Sequence, residues 1–198
     1  MRSAPVWICL SLPGLLGFAR AQGPVAPASP TPAPSAAVTG TPTPSIPPRR
    51  LTSDELRSRE REVILALQTI MQAERTYAAS NGGLFDTIAC LSEPWKCVPA
   101  YPADGASFLD PTYDWLATRQ DYARGFHPGP QATPDELRRL NASPSSLKSW
   151  AFTATPLHPG VTGSLGLCCD SKGRICFTDD GSAPAVKDGL CEPCKKLR

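Results

Sequence analysis

The stretch TSDELRSREREVILALQTIMQAERTYAASNGG, residues 52–83, decides the fold. Thr52-Ser53-Asp54-Glu55 opens it as a capping box, in which the Thr52 hydroxyl accepts from the first turn and the Glu55 carboxylate reaches back. Apolar residues then recur at Leu56, Val63, Ile64, Leu67, Ile70, Met71 and Tyr77, with the small Ala66, Ala73 and Ala78 among them. That spacing is helical and gives one apolar stripe. Asn81-Gly82-Gly83 ends the run with residues that tolerate positive φ at a helix C-terminus. A helix of about 28 residues follows, near 42 Å long at 1.5 Å per residue. Arg57, Arg59, Glu60, Arg61 and Glu62 make its first two turns polar nearly all round, so packing on the domain is expected from Val63 onward.

Before this helix the composition changes. Residues 22–51 are rich in Pro, Ala, Ser and Thr, and carry no charge before Arg49. The prolines remove backbone donors and favour extended polyproline conformation, while too little apolar bulk is present to offset ordering entropy. A semi-rigid disordered linker is expected there, in preference to a glycosylated stalk. Residues 1–21 read as a secretory signal peptide. Arg2 supplies the positive region, Val6 to Phe18 the apolar run, and Ala19-Arg20-Ala21 the cleavage site before Gln22. The run is too short to span a bilayer core of roughly 30 Å, so no integral anchor is expected after cleavage. Cys9 falls inside the apolar run and is expected to leave with it.

After the helix, Leu84 to Ser149 reads as irregular. It holds an apolar segment up to Leu91, a short helix starting at Ser107-Phe108-Leu109-Asp110, and another over residues 133–140 with Pro134 at its first position. Strands close the chain. Residues 149–155 alternate Trp150, Phe152 and Ala154 against Ala151, Thr153 and Thr155. Leu165 to Cys169 and Arg174 to Thr178 flank Asp170-Ser171-Lys172-Gly173, a turn-forming set. With a short loop, Cys169 faces Ile175 and Cys168 faces Cys176. Leu165, Leu167, Cys169, Ile175 and Phe177 then share the core face, and Cys168 and Cys176 the other. The fold class is α+β, with the helix packed on a small antiparallel sheet and residues 52–198 as the globular domain.

Eight cysteines stand in the chain, and Cys9 goes with the signal. In an exported protein the remainder are expected to form disulfides, with an odd one left over. Cys90 and Cys97 are suited to a local loop. Cys168, Cys176, Cys191 and Cys194 are suited to stapling the hairpin to the C-terminal tail, in pairings the sequence leaves open. Cys169, on the core face, is the expected free thiol.

Two rival chemistries use the same residues. Cys191-Glu192-Pro193-Cys194 has redox-motif spacing, but no helix follows to lower a thiol pKa. A zinc site built from Cys168 or Cys169 with Cys176, Cys191 and Cys194 has the right residue types, but needs four free thiolates in an oxidising compartment. A secreted thiol-redox or metal-binding protein is therefore the alternative reading.

Little else suggests chemistry. His127 and His158 each lie beside a proline in a turn-like context, outside any metalloprotease or deaminase pattern. Neither a nucleophile elbow nor a phosphate-cradling glycine loop is present. Asp179-Asp180-Gly181 lacks the spaced acids of a calcium loop and reads as a turn. No catalytic residue, cofactor or metal is assigned, and the chain is expected not to be an enzyme. Twenty basic against eighteen acidic residues, without basic clusters interleaved with aromatics, give no basis for a nucleic-acid partner.

Residues 66–74 with Tyr77, then Gly82-Gly83-Leu84-Phe85, resemble the exposed half of the first helix of type IV pilin-like proteins, including the major pseudopilins of type II secretion. Phe108-Leu109-Asp110-Pro111 and residues 122–129 resemble further segments of that domain. Residues 152–156, 159–163 and 170–175 resemble its closing β-meander. The matches run in order through about residues 60 to 181. The resemblance implies a helix laid across an antiparallel sheet, no enzymatic activity, and partners among pilus or secretion-system proteins. One departure is large. Pilins carry a hydrophobic helix half that packs the filament core, where this chain has the proline-rich segment, Arg49-Arg50 and a highly charged first turn. A filament core made of those residues would bury unpaired charge. The expectation is thus an exported pilin-like structural or binding module, periplasmic or at the cell surface.

Overall fold

The computed structural model describes residues 51–197. The expected signal peptide and all but the last residue of the expected linker lie outside the described residues. Thr52 caps α1, Ser53–Ser80, through the reciprocal bonds of a capping box: its N–H donates to Glu55 Oε2 at 2.8 Å, and Glu55 N–H donates to Thr52 Oγ1 at 3.3 Å. The far end closes where Gly83 N–H donates to Ala78 O at 2.8 Å. Gly82, at φ +63°, lies so close to Leu140 that an added Cβ would sit 2.8 Å from the leucine Cβ. Only glycine meets both demands.

Val63, Leu67, Ile70, Met71, Ala73, Glu74, Tyr77 and Ala78 are the buried face of α1. They pack on a five-stranded antiparallel sheet in the order β1-β2-β3-β4-β7. Its strands are β1 Tyr122–Pro128, β2 Trp150–Pro156, β3 Gly166–Asp170, β4 Ile175–Thr178 and β7 Lys195–Lys196. Trp150, Phe152, Ala154, Leu167 and Cys169 point at the helix, as a two-residue alternation requires. Two short helices, α2 Ile88–Ser92 and α3 Pro134–Leu140, lie in the connections. A second, two-stranded sheet pairs β5 Val186–Lys187 with β6 Leu190–Cys191.

The hairpin register is the expected one: Cys168 pairs with Cys176 and Cys169 with Ile175. Alternation then sorts the cysteines. Cys169 joins the main core, while Cys168 and Cys176 build a smaller cluster with Ala151 and Cys191 on the opposite face. The chain is therefore α+β with one helix packed against an antiparallel sheet, and a disulfide-rich tail covers part of the sheet's other side.

Three sequence expectations are corrected. The region 84–149 is not irregular throughout, because residues 122–128 form β1 and pair along their whole length with β2. Gly125 and Pro128 blur the Tyr122, Arg124, Phe126 alternation that marks this strand. Residues 107–110 do not start a helix, since Phe108 and Leu109 N–H both donate to Leu91 O, at 2.9 and 3.1 Å. That shared acceptor holds the segment against α2. His127 lies within β1 and not in a turn.

Candidate functional site

Two disulfides tie the C-terminal tail to the hairpin. Cys168 is bonded to Cys191 and Cys176 to Cys194, while Cys90 is bonded to Cys97 around the short helical segment Pro94–Lys96. Cys169 is the free thiol and is buried. Its Sγ lies 3.9 Å from Leu67 O, on the helix side of the sheet and away from both tail disulfides. Burial first, then the Asp170 and Glu74 carboxylates, push its pKa well above the usual thiol range. A protonated, enclosed sulfur is a poor nucleophile.

These pairings bear directly on the rival chemistries. Cys191 and Cys194 are bonded to separate partners on β3 and β4, so the C-x-x-C spacing does not join one redox pair. Of the cysteines weighed as zinc ligands, Cys168, Cys176, Cys191 and Cys194 are taken up in two disulfides, and the alternative ligand Cys169 is buried on the other face of the sheet. Among the described residues no group of three or more His, Cys, Asp or Glu side chains is arranged to hold a metal.

Asp170 knits the tail to the hairpin. Its side chain is wholly buried and faces Arg174, whose Nε donates to Oδ2 at 3.0 Å. The same Oδ2 accepts from the Cys191 backbone N–H at 3.2 Å, and Arg174 Nη2 donates to Cys191 O at 3.0 Å. Oδ1 accepts from the Lys172 N–H at 3.0 Å within the turn. One carboxylate thus closes the turn and orients the residue that carries a disulfide.

A second polar network lies beneath α1. Glu74, Asp86 and Asn81 are fully buried. Tyr77 Oη donates to Asp86 Oδ2 at 2.9 Å, and the Asp86 N–H donates to Glu74 Oε2 at 3.4 Å. Glu74 Oε1 has no partner. Burial raises the Glu74 pKa well above the carboxylate range, the Asp86 N–H opposes this, and the Asp86 charge adds to it. Asn81 acts as a strap: Nδ2 donates to Leu84 O and Ser146 Oγ at 3.0 and 2.8 Å, and Oδ1 accepts from Ser143 N–H at 2.8 Å. Sequence reading missed this network, because a lone Glu within an apolar stripe looks like a solvent-facing residue until the stripe's width is known.

No family model, curated protein or solved structure matches the chain.

A groove of about 620 Å³ lies between α1 and the loop carrying Tyr101 and Phe108. Gln68, Gln72 and Thr76 line its floor, Leu65 lies 60% exposed at one end, and no charged side chain lines it. Tyr101 Oη donates to Ala106 O at 2.7 Å, which fixes the aromatic wall. The two histidines are elsewhere. His127 Nε2 bonds Thr153 Oγ1 at 2.8 Å, and burial lowers its pKa. His158 carries the turn to Thr162, whose N–H donates to its carbonyl at 2.9 Å. Among the described residues neither histidine is hydrogen-bonded or ion-paired to a thiol or a carboxylate, and the Thr153 hydroxyl is the side-chain partner of His127. Three disulfides are consistent with an oxidising, extracellular environment. None of the described helices is long and apolar enough to cross a membrane.

Proposed function

We propose that the chain is an exported, non-catalytic pilin-like module, held on a proline-rich linker, that serves as a structural or binding component beside pilus or type II secretion machinery. The observation that carries this reading is the placement of α1. Its apolar stripe is spent on the inner face of the antiparallel meander from Val63 onward, while its first two turns are charged. Such a helix supports a head domain and has no hydrophobic half to offer a filament core. The signal peptide then delivers the head, and the linker sets its reach.

The thiol-redox alternative has less support, because Cys191 and Cys194 belong to different disulfides and the free Cys169 is buried. Crosslinking of the full chain in its native envelope, followed by mass spectrometry, tests the proposal. Crosslinks from the head to pilus or secretion subunits are expected. Their absence, together with thiol oxidoreductase activity in the purified protein, would overturn it.

A further inference from the structure

β1 is one edge of the five-stranded sheet, and part of its outer side is open. Leu157 N–H donates to Asp121 O at 2.8 Å and Gly129 N–H donates to Ser149 O at 3.0 Å. Residues 121, 123, 125, 127 and 129 therefore turn their backbone groups toward β2. In an antiparallel ladder the residues between them turn theirs away. Tyr122 uses its own on Arg119, donating at 2.8 Å and accepting at 3.1 Å. Arg124 and Phe126 are left with N–H and C=O groups that no described residue pairs.

Two guanidiniums flank this gap. Arg119 lies over the Tyr113 ring, its central carbon 3.9 Å from the centroid, and that of Arg124 lies 5.9 Å from the same centroid. Arg124 also donates to Tyr113 Oη at 3.1 Å and to Gln120 Oε1 at 2.9 Å. Among the described residues no carboxylate pairs with either arginine. The turn between them is strained: Gln120 and Asp121 are consecutive non-glycine residues at φ 51° and 56°. Such conformations persist only where the surroundings enforce them, and they gather at binding sites. Arg59 of α1 enforces this one, through an ion pair with Asp121 and a contact to Gln120 O.

We infer that the Arg124–Phe126 edge of β1 receives an extended acidic peptide segment as an added strand. The inference rests on the binding-module reading above and names the chemistry of the partner. Unpaired peptide groups at strand spacing match another peptide backbone, which gives affinity. The uncompensated arginines select acidic side chains and repel basic ones. Pro128 at the strand end keeps the pairing short.

The test uses the full chain and an acetylated, amidated heptapeptide of alternating Thr and Glu, carrying a fluorophore. Anisotropy should show saturable binding at low ionic strength that weakens with salt. Arg119→Glu should weaken it about tenfold or more. This variant disturbs only a stacked, exposed side chain, and an unchanged melting temperature verifies that it folds. N-methylation of the peptide's pairing amides should abolish binding, and the Arg124 and Phe126 amides should gain exchange protection in the complex. The inference is overturned by an absence of saturable binding, or by N-methylated peptide binding as tightly as the parent. It is also overturned if a sulfated oligosaccharide binds through Arg119 while the peptide does not. Envelope crosslinks without peptide binding would sink this inference alone, whereas peptide binding without such crosslinks would sink the proposed location.

Discussion

Cys168 and Cys176 stand directly opposite each other across β3 and β4, yet they are not bonded to each other. Each reaches instead into the tail, to Cys191 and Cys194 respectively. The closed loops span 23 and 18 residues, and each should contribute about 3 kcal/mol on chain-entropy grounds. The sheet itself enforces this outcome. It holds Cys169 on the helix side, where Cys90 and Cys97 are already bonded to each other, and offers only Cys168 and Cys176 to the tail.

Peptide mapping under non-reducing conditions should therefore recover 90–97, 168–191 and 176–194 links. Cys169 should resist alkylation in the native protein and react after denaturation. A 168–176 or 191–194 link would contradict the pairing.

Asp170→Ala removes the acceptor of the Arg174 side chain and the Cys191 N–H together. Arg174 is a third exposed and can be solvated, so the cost is that of lost hydrogen bonds to a charged group, about 2 kcal/mol, read as a shift in the denaturation midpoint. Rapid proteolysis of residues 180–197 should accompany it. Loss of less than about 1 kcal/mol would show that the disulfides alone hold the tail.

Glu74 gives the fold a pH signature. Its folded pKa is raised above the unfolded value of 4.5, so the native state keeps a proton that the unfolded state releases. Stability is full below the unfolded pKa and falls as pH rises toward the folded one. Glu74→Gln keeps the shape without the ionisation. Denaturant titrations should show the variant gaining on the native sequence as pH increases from 4.5 to 8. A variant that loses stability relative to the native sequence over this range would contradict the buried, protonated carboxyl.

The Cys90–Cys97 link closes a loop with a separation of seven residues. Replacing both by Ser should cost about 2.5 kcal/mol and leave the sheet intact. Loss of all cooperative unfolding would mean that the loop anchors the core.

The helix, its capping box and the register of the last hairpin were legible because each follows from local chemistry: periodicity 3.6, Thr52 with Glu55, and a turn of Asp, Ser, Lys and Gly. The sorting of Cys169 from Cys168 followed from strand alternation alone. β1 was not legible, since its Gly and Pro hide a pattern that only β2 completes. Asp170 looked like a turn former, and the tail that turns it into a hub lies 21 residues away. The pairing of the four tail-linked cysteines likewise depends on where the tail crosses the sheet.

The proposed export by a removable signal would free this head from a membrane-held helix. N-terminal sequencing of the protein recovered from its native host tests it most directly. A mature chain beginning at Gln22, found outside the membrane fraction, is the predicted result. An intact Met1 in the membrane fraction would contradict it.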